Sequence, residues 1–243
     1  MDQIKSAPKA TGILLFLLLL NILNMVDRTL ITSFGSAIIK DLNLSDSQFG
    51  LLTGPIFVFF YSIMGLFMGA LADRVHRPRL IAAGLLLWSA LTAVSGMAKN
   101  FVQIGVARLF IGVGESAMTP SAISMISDLF PKARRGTATG IYYLGVPLGA
   151  GGSFIVAGIL GPMIGWRNCF FLLGGVGVVL ALGLLFLKDP KRGAMEEKED
   201  SMAPEQEEAL LGGDWRRVIS DVLLVVRSTR ALAWTMLGAV FLH

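Results

Sequence analysis

Six stretches of the chain stay apolar long enough to cross a bilayer as helices, for which about 20 residues are needed. They are Thr11–Phe34, Phe49–Leu71, Leu80–Ala98, Phe101–Ser127, Gly136–Leu160 and Trp166–Leu187. A seventh apolar run begins at Ala231 and continues to His243. Its rise of about 20 Å falls short of the ~30 Å hydrocarbon core. The pattern therefore predicts an all-α membrane protein: a six-helix bundle over residues 1–190, a linker over 191–230, and the start of a seventh helix over 231–243. On this reading the chain is the first half of a longer protein. The runs are far too long for barrel strands of about 10 residues. The first is not a cleaved leader, because it is long, carries Asp27 and Arg28 late, and lacks a small-residue cleavage site.

The linker has its own pattern. Met195–Glu208 is acidic and reads as solvated. Trp215, Val218, Ile219, Val222, Leu223 and Val226 then fall on one helical face, which predicts an amphipathic helix lying on the membrane surface or against the bundle.

Composition narrows the function classes. Only 16% of the 243 residues are charged, against about 25% in an average soluble domain. One cysteine, Cys169, and two distant histidines, His76 and His243, leave no disulfide scaffold and no material for a metal cluster. No metal or cofactor is expected. No Gly-x4-Gly-Lys-Ser/Thr loop occurs, which argues against drive by ATP from this chain. No histidine is placed to activate a serine, so an enzyme is not expected. The basic residues carry topology, and no nucleic-acid partner is expected. With the N-terminus in the cytoplasm, the short inner segments hold Lys5, Lys9, Arg74, Arg77, Arg79, Lys132, Arg134 and Arg135, whereas the outer loops hold Lys40, Lys99 and Arg167. That asymmetry predicts a multi-pass protein of the plasma or inner membrane with a cytoplasmic N-terminus.

Four ionisable residues stand inside spans: Asp27 and Arg28 in the first, Arg108 and Glu115 in the fourth. Such residues are costly unless they face a bundle interior or water. Counting from the span ends puts Asp27 about 24 Å from the inner edge and Arg108 about 10 Å from the outer edge, both in the outer half. Glu115 follows Arg108 by two turns on nearly the same face, about 21 Å below the outer edge. The simplest arrangement is a polar seam between helices one and four. One reading makes Asp27 and Arg108 a static ion pair that orders the bundle; the other makes the four residues a substrate or proton site, with Glu115 exchanging a proton between states.

Further motifs lie at the helix ends. Span two closes with Gly65-Leu-Phe-Met-Gly69-Ala-Leu-Ala-Asp73-Arg74-Val-His76-Arg77-Pro78-Arg79, in which the spacing of Gly65 and Gly69 would let another helix approach. Span five carries Gly140, Gly145, Pro147 and Gly149, expected as close-packing positions, with Pro147 as a hinge. Met64, Met68, Met118 and Met125 read as apolar lining. Tyr61, Tyr142 and Tyr143 are interfacial or cavity residues.

The Gly-x3-Asp-Arg-x2-Arg-x-Arg run resembles the loop signature between helices two and three of the major facilitator superfamily, with His76 where glycine is usual and Pro78 where a basic residue is common. Arg108-x3-Gly112-x-Gly114-Glu115, Asp128-Leu-Phe-Pro131-x3-Arg135-Gly136 and Gly140-x4-Gly145-Val-Pro147-Leu-Gly149 are similar to its later motifs, in order. Asn24-Met-Val-Asp27-Arg28, Gly112-Val-Gly-Glu115-Ser-Ala and Ser127-Asp128-Leu-Phe-Pro131 resemble the spinster-like group. The resemblance implies a fold of two six-helix bundles rocking between inward-open and outward-open states. It implies a secondary transporter for an amphipathic, lipid-like or organic-anion substrate, coupled to protons or to counter-substrate, with small organic or sugar acids as the alternative. A receptor or scaffold on the same fold is the alternative of another class. Membrane lipids and a C-terminal bundle are the other implied partners. By motif order, Gly69, Asp73, Arg74, Arg77 and Asp128 form a conformational latch, with Arg74 near Asp128.

Overall fold

The structure, a computed structural model, describes residues 2–195 and Ser220, with side chains from residue 9 onward. Apart from residues 191–195 and Ser220, the linker, its amphipathic helix and the seventh apolar run lie outside the described residues.

Among the described residues every regular element is helical: α1 (Asp2–Ser33), α2 (Gly35–Leu42), α3 (Asp46–Thr53), α4 (Pro55–Ala72), α5 (Arg77–Ser95), α6 (Phe101–Glu115), α7 (Met118–Leu129), α8 (Lys132–Tyr143), α9 (Gly145–Ile155), a π-helical turn (Val156–Leu160) and α10 (Gly161–Leu184). Prolines stand at about half of the joints. A proline lacks the N–H that would bond the carbonyl four residues back. Accordingly the helix is interrupted at Ser116–Ala117 ahead of Pro120 and at Leu144 ahead of Pro147, while the π-helical turn precedes Pro162. Gly54 separates α3 from α4 just before Pro55. Phe130, the residue before Pro131, is extended and ends α7.

Apolar helical segments of crossing length cover 9–33, 46–72, 77–95, 101–129 and 132–184. The last is 53 residues long, about 80 Å as a helix, which no single crossing accommodates. It is broken at Gly165, whose φ of 79° and ψ of 159° belong to a region open essentially to glycine alone. The break yields two crossings and brings the total to six. His76 caps α5, its Nδ1 facing the N–H of Arg79, with φ −66°. A glycine is therefore not required there, and Pro78 sits in the first helical turn, where proline fits.

The first span differs from its sequence boundary. The hydrogen-bond ladder runs from α1 through Phe34 into α2, and Ile38 and Leu42 of α2 are buried. The apolar helix thus continues to Leu42, and Asp27 lies near its middle rather than in its outer half.

Two apolar clusters fill the interior. One contains Leu14, Leu17, Leu20, Leu23, Ile81, Leu85, Trp88, Ile111 and Met125. The other contains Leu30, Ile31, Phe34, Ile38, Leu52, Ile104, Trp166 and Phe170. Asp27 and Arg28 fall between Leu23 of the first and Leu30 of the second, and Arg108 between Ile111 and Ile104.

Close helix approach depends on glycines that only partly match the expected set. A Cβ on Gly149 would lie 2.5 Å from the Ile22 carbonyl oxygen and from Met25 Cβ, and one on Gly145 2.7 Å from Asn21. Gly84 and Gly114 face each other's carbonyl oxygens across α5 and α6. Gly65, Gly69 and Gly140 have no atom within 4 Å of a Cβ position, so the close approach expected at these three is not made by described residues. Gly149→Ala is therefore expected to destabilise the protein by about 1–3 kcal/mol through overpacking, whereas Gly140→Ala changes stability by less than ~0.5 kcal/mol. Thermal unfolding of the two variants in detergent checks the contrast, and equal melting temperatures would contradict it.

Candidate functional site: a buried polar seam and a basic-end ion network

α1, α4, α5 and α6 bring the seam together. Glu115 (1% exposed), Asp27 (3%) and Arg108 (5%) are buried. Arg28 donates from Nε to Glu115 Oε2 at 3.0 Å, and its Nη2 stands 2.9 Å from the same oxygen. Its guanidinium lies over the rings of Phe57 (4.8 Å) and Tyr61 (4.4 Å), both on α4. Aromatic faces attract a cation, more strongly where water is excluded. Arg108 donates from Nη2 to the Arg28 carbonyl oxygen at 2.6 Å and stacks on Phe57 at 4.8 Å.

Asp27 and Arg108 do not form the expected ion pair. Asp27 Oδ2 instead accepts a hydrogen bond from Trp88 Nε1 at 3.2 Å. The reason is direction: Asp27 points toward α5, while Arg28, the next residue on the helix, points toward α4 and α6. The pair that forms is Arg28–Glu115, and it places the two residues at one depth. Counting from the sequence spans separated them because the span carrying Arg28 was ended eight residues early.

The seam is incompletely satisfied. Asp27 Oδ1, Glu115 Oε1 and Arg108 Nε, with Asn24 Nδ2 one turn from Asp27 on α1, are buried without a hydrogen-bond partner among the described residues. Buried polar atoms are nearly always paired, so a cluster of exceptions on converging helices marks a place where a polar group can be received. Arg108 Nε and the partly exposed Arg28 are the cationic groups of this seam. Phe57 is itself buried, its ring covered by both guanidinium groups and stacked on Tyr61, which is half-buried.

A second constellation stands at the end of the bundle that carries Lys9, Arg79 and Arg135. Arg77, fully buried at the start of α5, donates from its backbone N–H and Nε to the two Asp189 carboxylate oxygens (2.9 and 2.8 Å). It also donates to Ser124 Oγ (2.9 Å), to the Pro190 carbonyl (2.6 Å) and to Asp128. Asp128 Oδ1 accepts from the backbone of Gly193 at 2.9 Å. Arg192 donates to the Ala72 and Val75 carbonyls, both at 2.8 Å, where α4 ends. The partner of Asp128 is thus Arg77 rather than Arg74. The turn after α10 supplies half of the network, which sequence spacing did not reveal. Asp73 is exposed at the end of α4. Of the other residues singled out, Met118, Met125 and Tyr142 are core, and Tyr143 is exposed.

Fold and seam together define a multi-pass α-helical membrane protein whose interior holds ionisable and polar groups rather than a uniform apolar core. The chain belongs to the Major Facilitator Superfamily, whose family model matches residues 17–243. It is 30% identical over 210 residues to an MFS-type efflux pump of Mycolicibacterium smegmatis, covering 86% of this chain and 48% of that protein. It is 31% identical over 199 residues to protein spinster homolog 1 of Xenopus laevis, covering 80% of this chain and 38% of that protein. A solved bacterial homologue of the human lysosomal transporter Spinster, inward-facing and occupied, superposes with a TM-score of 0.68 at 35% identity, over 77% of this chain and 46% of that one. The chain spans about half the length of the relatives it matches, or less.

Proposed function

We propose that this bundle forms one half of a secondary active transporter working by alternating access, with its N-terminus in the cytoplasm. The observation that carries the reading is the Arg28–Glu115 pair at the waist of the bundle, surrounded by buried polar atoms without partners. Static packing does not need such groups, and an ion pair in an apolar interior is weak support for stability in its own right.

The substrate that fits is an amphipathic anion: an acidic head for the two arginines and an apolar body along the half-buried apolar residues of α4 from Tyr61 onward. Similarity to the spinster proteins supports a lipid-like member of that class. Asp27 is the acid without an ion pair and so is free to exchange a proton with the least rearrangement. The Arg77 network closes the basic end of the bundle and acts as the latch.

Uptake into proteoliposomes by the protein at full length, under an imposed pH gradient, tests the proposal. Saturable uptake of a lysophospholipid-like anion is expected, and saturable flux of small sugar acids alone would move the substrate to the alternative class. Absence of any flux would return the chain to a scaffold. Within the same assay, Arg108→Lys is expected to weaken apparent substrate affinity by about tenfold or more. Lysine has no planar fork with which to keep the Arg28 carbonyl and offer a second donor to the head group. A fully active lysine variant would reduce Arg108 to a generic charge.

A further inference from the structure

Between α1 and the end of α10, at the basic end of the bundle, lies a groove of about 480 Å³ lined by Lys9, Gly12, Ile13, Phe16, Gly183, Phe186, Leu187 and Lys188. We propose that it is a binding site for one anionic phospholipid of the surrounding leaflet, with the phosphate between Lys9 and Lys188 and an acyl chain along the slot beneath them. This site is separate from the seam and does not depend on what the seam carries.

Three observations bear on the occupant. The slot exists because glycines stand on both walls: Gly12 has no atom within 4 Å of a Cβ position, and Gly183 has only the tip of Phe16, at 3.7 Å. Its remaining walls are apolar, and Phe186 at the lip is 88% exposed, which suits contact with lipid rather than water. Its charge lies at one end only. Lys9 and Lys188 close the groove, and among the described residues no carboxylate lines it. The nearest acid in sequence, Asp189, is turned away and held by Arg77. From Lys9 to Phe16 the slot runs about 10 Å down α1, which is chain-like rather than head-group depth.

Charge complementarity decides among occupants. Basic pockets between helices at the cytoplasmic side suit anionic head groups. A second copy of the chain inserts in the same orientation and would set lysine against lysine, which is unfavourable. The acidic stretch after residue 195 offers charge but, with Met202, Ala203 and Pro204 as its apolar residues up to Glu208, little to fill an apolar slot.

Native mass spectrometry of the detergent-purified protein tests the site, titrated with phosphatidylglycerol and with phosphatidylcholine of the same acyl chains. Phosphatidylglycerol is expected to bind about tenfold more tightly. Lys9→Gln with Lys188→Gln should abolish that preference, Gly183→Leu should lower binding of both lipids, and Lys99→Gln, at the opposite end of the bundle, should change nothing. A preference untouched by the double lysine substitution overturns the proposal. So does competition by soluble glycerol phosphate as strong as by lipid, which would make the site a free-anion site. Conversion of a dimer to a monomer in the lysine variant, with lipid binding intact, would assign the groove to a second copy. Binding seen only after Glu196, Glu197, Glu199 and Asp200 are neutralised would assign it to the chain's own acidic segment.

Discussion

Arg77→Ala is expected to be the most destabilising single substitution at the basic end of the bundle, by about 3–5 kcal/mol, the range for removing one partner of a buried ion pair. The size follows from what is left behind. Arg77 is fully buried and its donors serve Asp128, Asp189, Ser124 and the Pro190 carbonyl. Alanine strands the buried Asp128 and the half-buried Asp189 carboxylates, whose ion pairs among the described residues are both with Arg77. Arg77→Lys keeps a charge but loses the fork, and is expected to fall between wild type and alanine. Asp73→Asn, at an exposed position, should leave stability within ~0.5 kcal/mol. Thermal unfolding in detergent gives the ranking. A double-mutant cycle between Arg77→Ala and Asp189→Asn should return a coupling well above zero, because the two share hydrogen bonds. If Arg77→Ala melts with wild type, the network is peripheral to the fold and the latch reading fails with it.

How far the sequence foretold this arrangement depends on the range of the interaction. Crossing helices are a local property of length and hydropathy, and all six could be read from runs of apolar residues. Helix joints were partly legible: Pro147 reads as a hinge and stands just after the joint at Leu144, whereas the breaks ahead of Pro120 and Pro162 were not read from the sequence. The depth of Asp27 was misplaced because Ser33-Phe34-Gly35 resembles a helix end, whereas Phe34 packs against Phe170 and the helix continues. Pairings were the least legible. Nothing local makes Arg28 choose Glu115, 87 residues away, over its neighbour Asp27. That choice is set by which face of α1 meets α6. Trp88 carried a signal of a kind, since an indole N–H in an apolar span requires an acceptor. Asp189 carried none, because it lies in a turn beyond the last crossing and meets Arg77 only after the bundle has closed.

Of the two seam acids, Asp27 is expected to set the proton dependence of transport and Glu115 its integrity. Asp27 is held by one neutral donor, Trp88 Nε1, and its other oxygen is unpartnered. A proton can join or leave it without breaking an ion pair. Glu115 shares one oxygen with both Nε and Nη2 of Arg28, so protonating it would release a guanidinium that is held in place over Phe57 and Tyr61. Coupling needs a group whose proton occupancy differs between two conformations at little structural cost, and by that criterion Asp27 is favoured. Asp27→Asn is therefore expected to abolish acceleration by a pH gradient while sparing exchange of substrate for substrate. Glu115→Gln should depress both modes by about tenfold or more, since the half-buried Arg28 loses its buried counter-charge. Uptake and exchange, measured in parallel in proteoliposomes across a pH series, separate the two roles. A gradient response that survives in Asp27→Asn and disappears in a Glu115→Gln protein still competent in exchange would reverse the assignment and make the Arg28–Glu115 pair the coupling element.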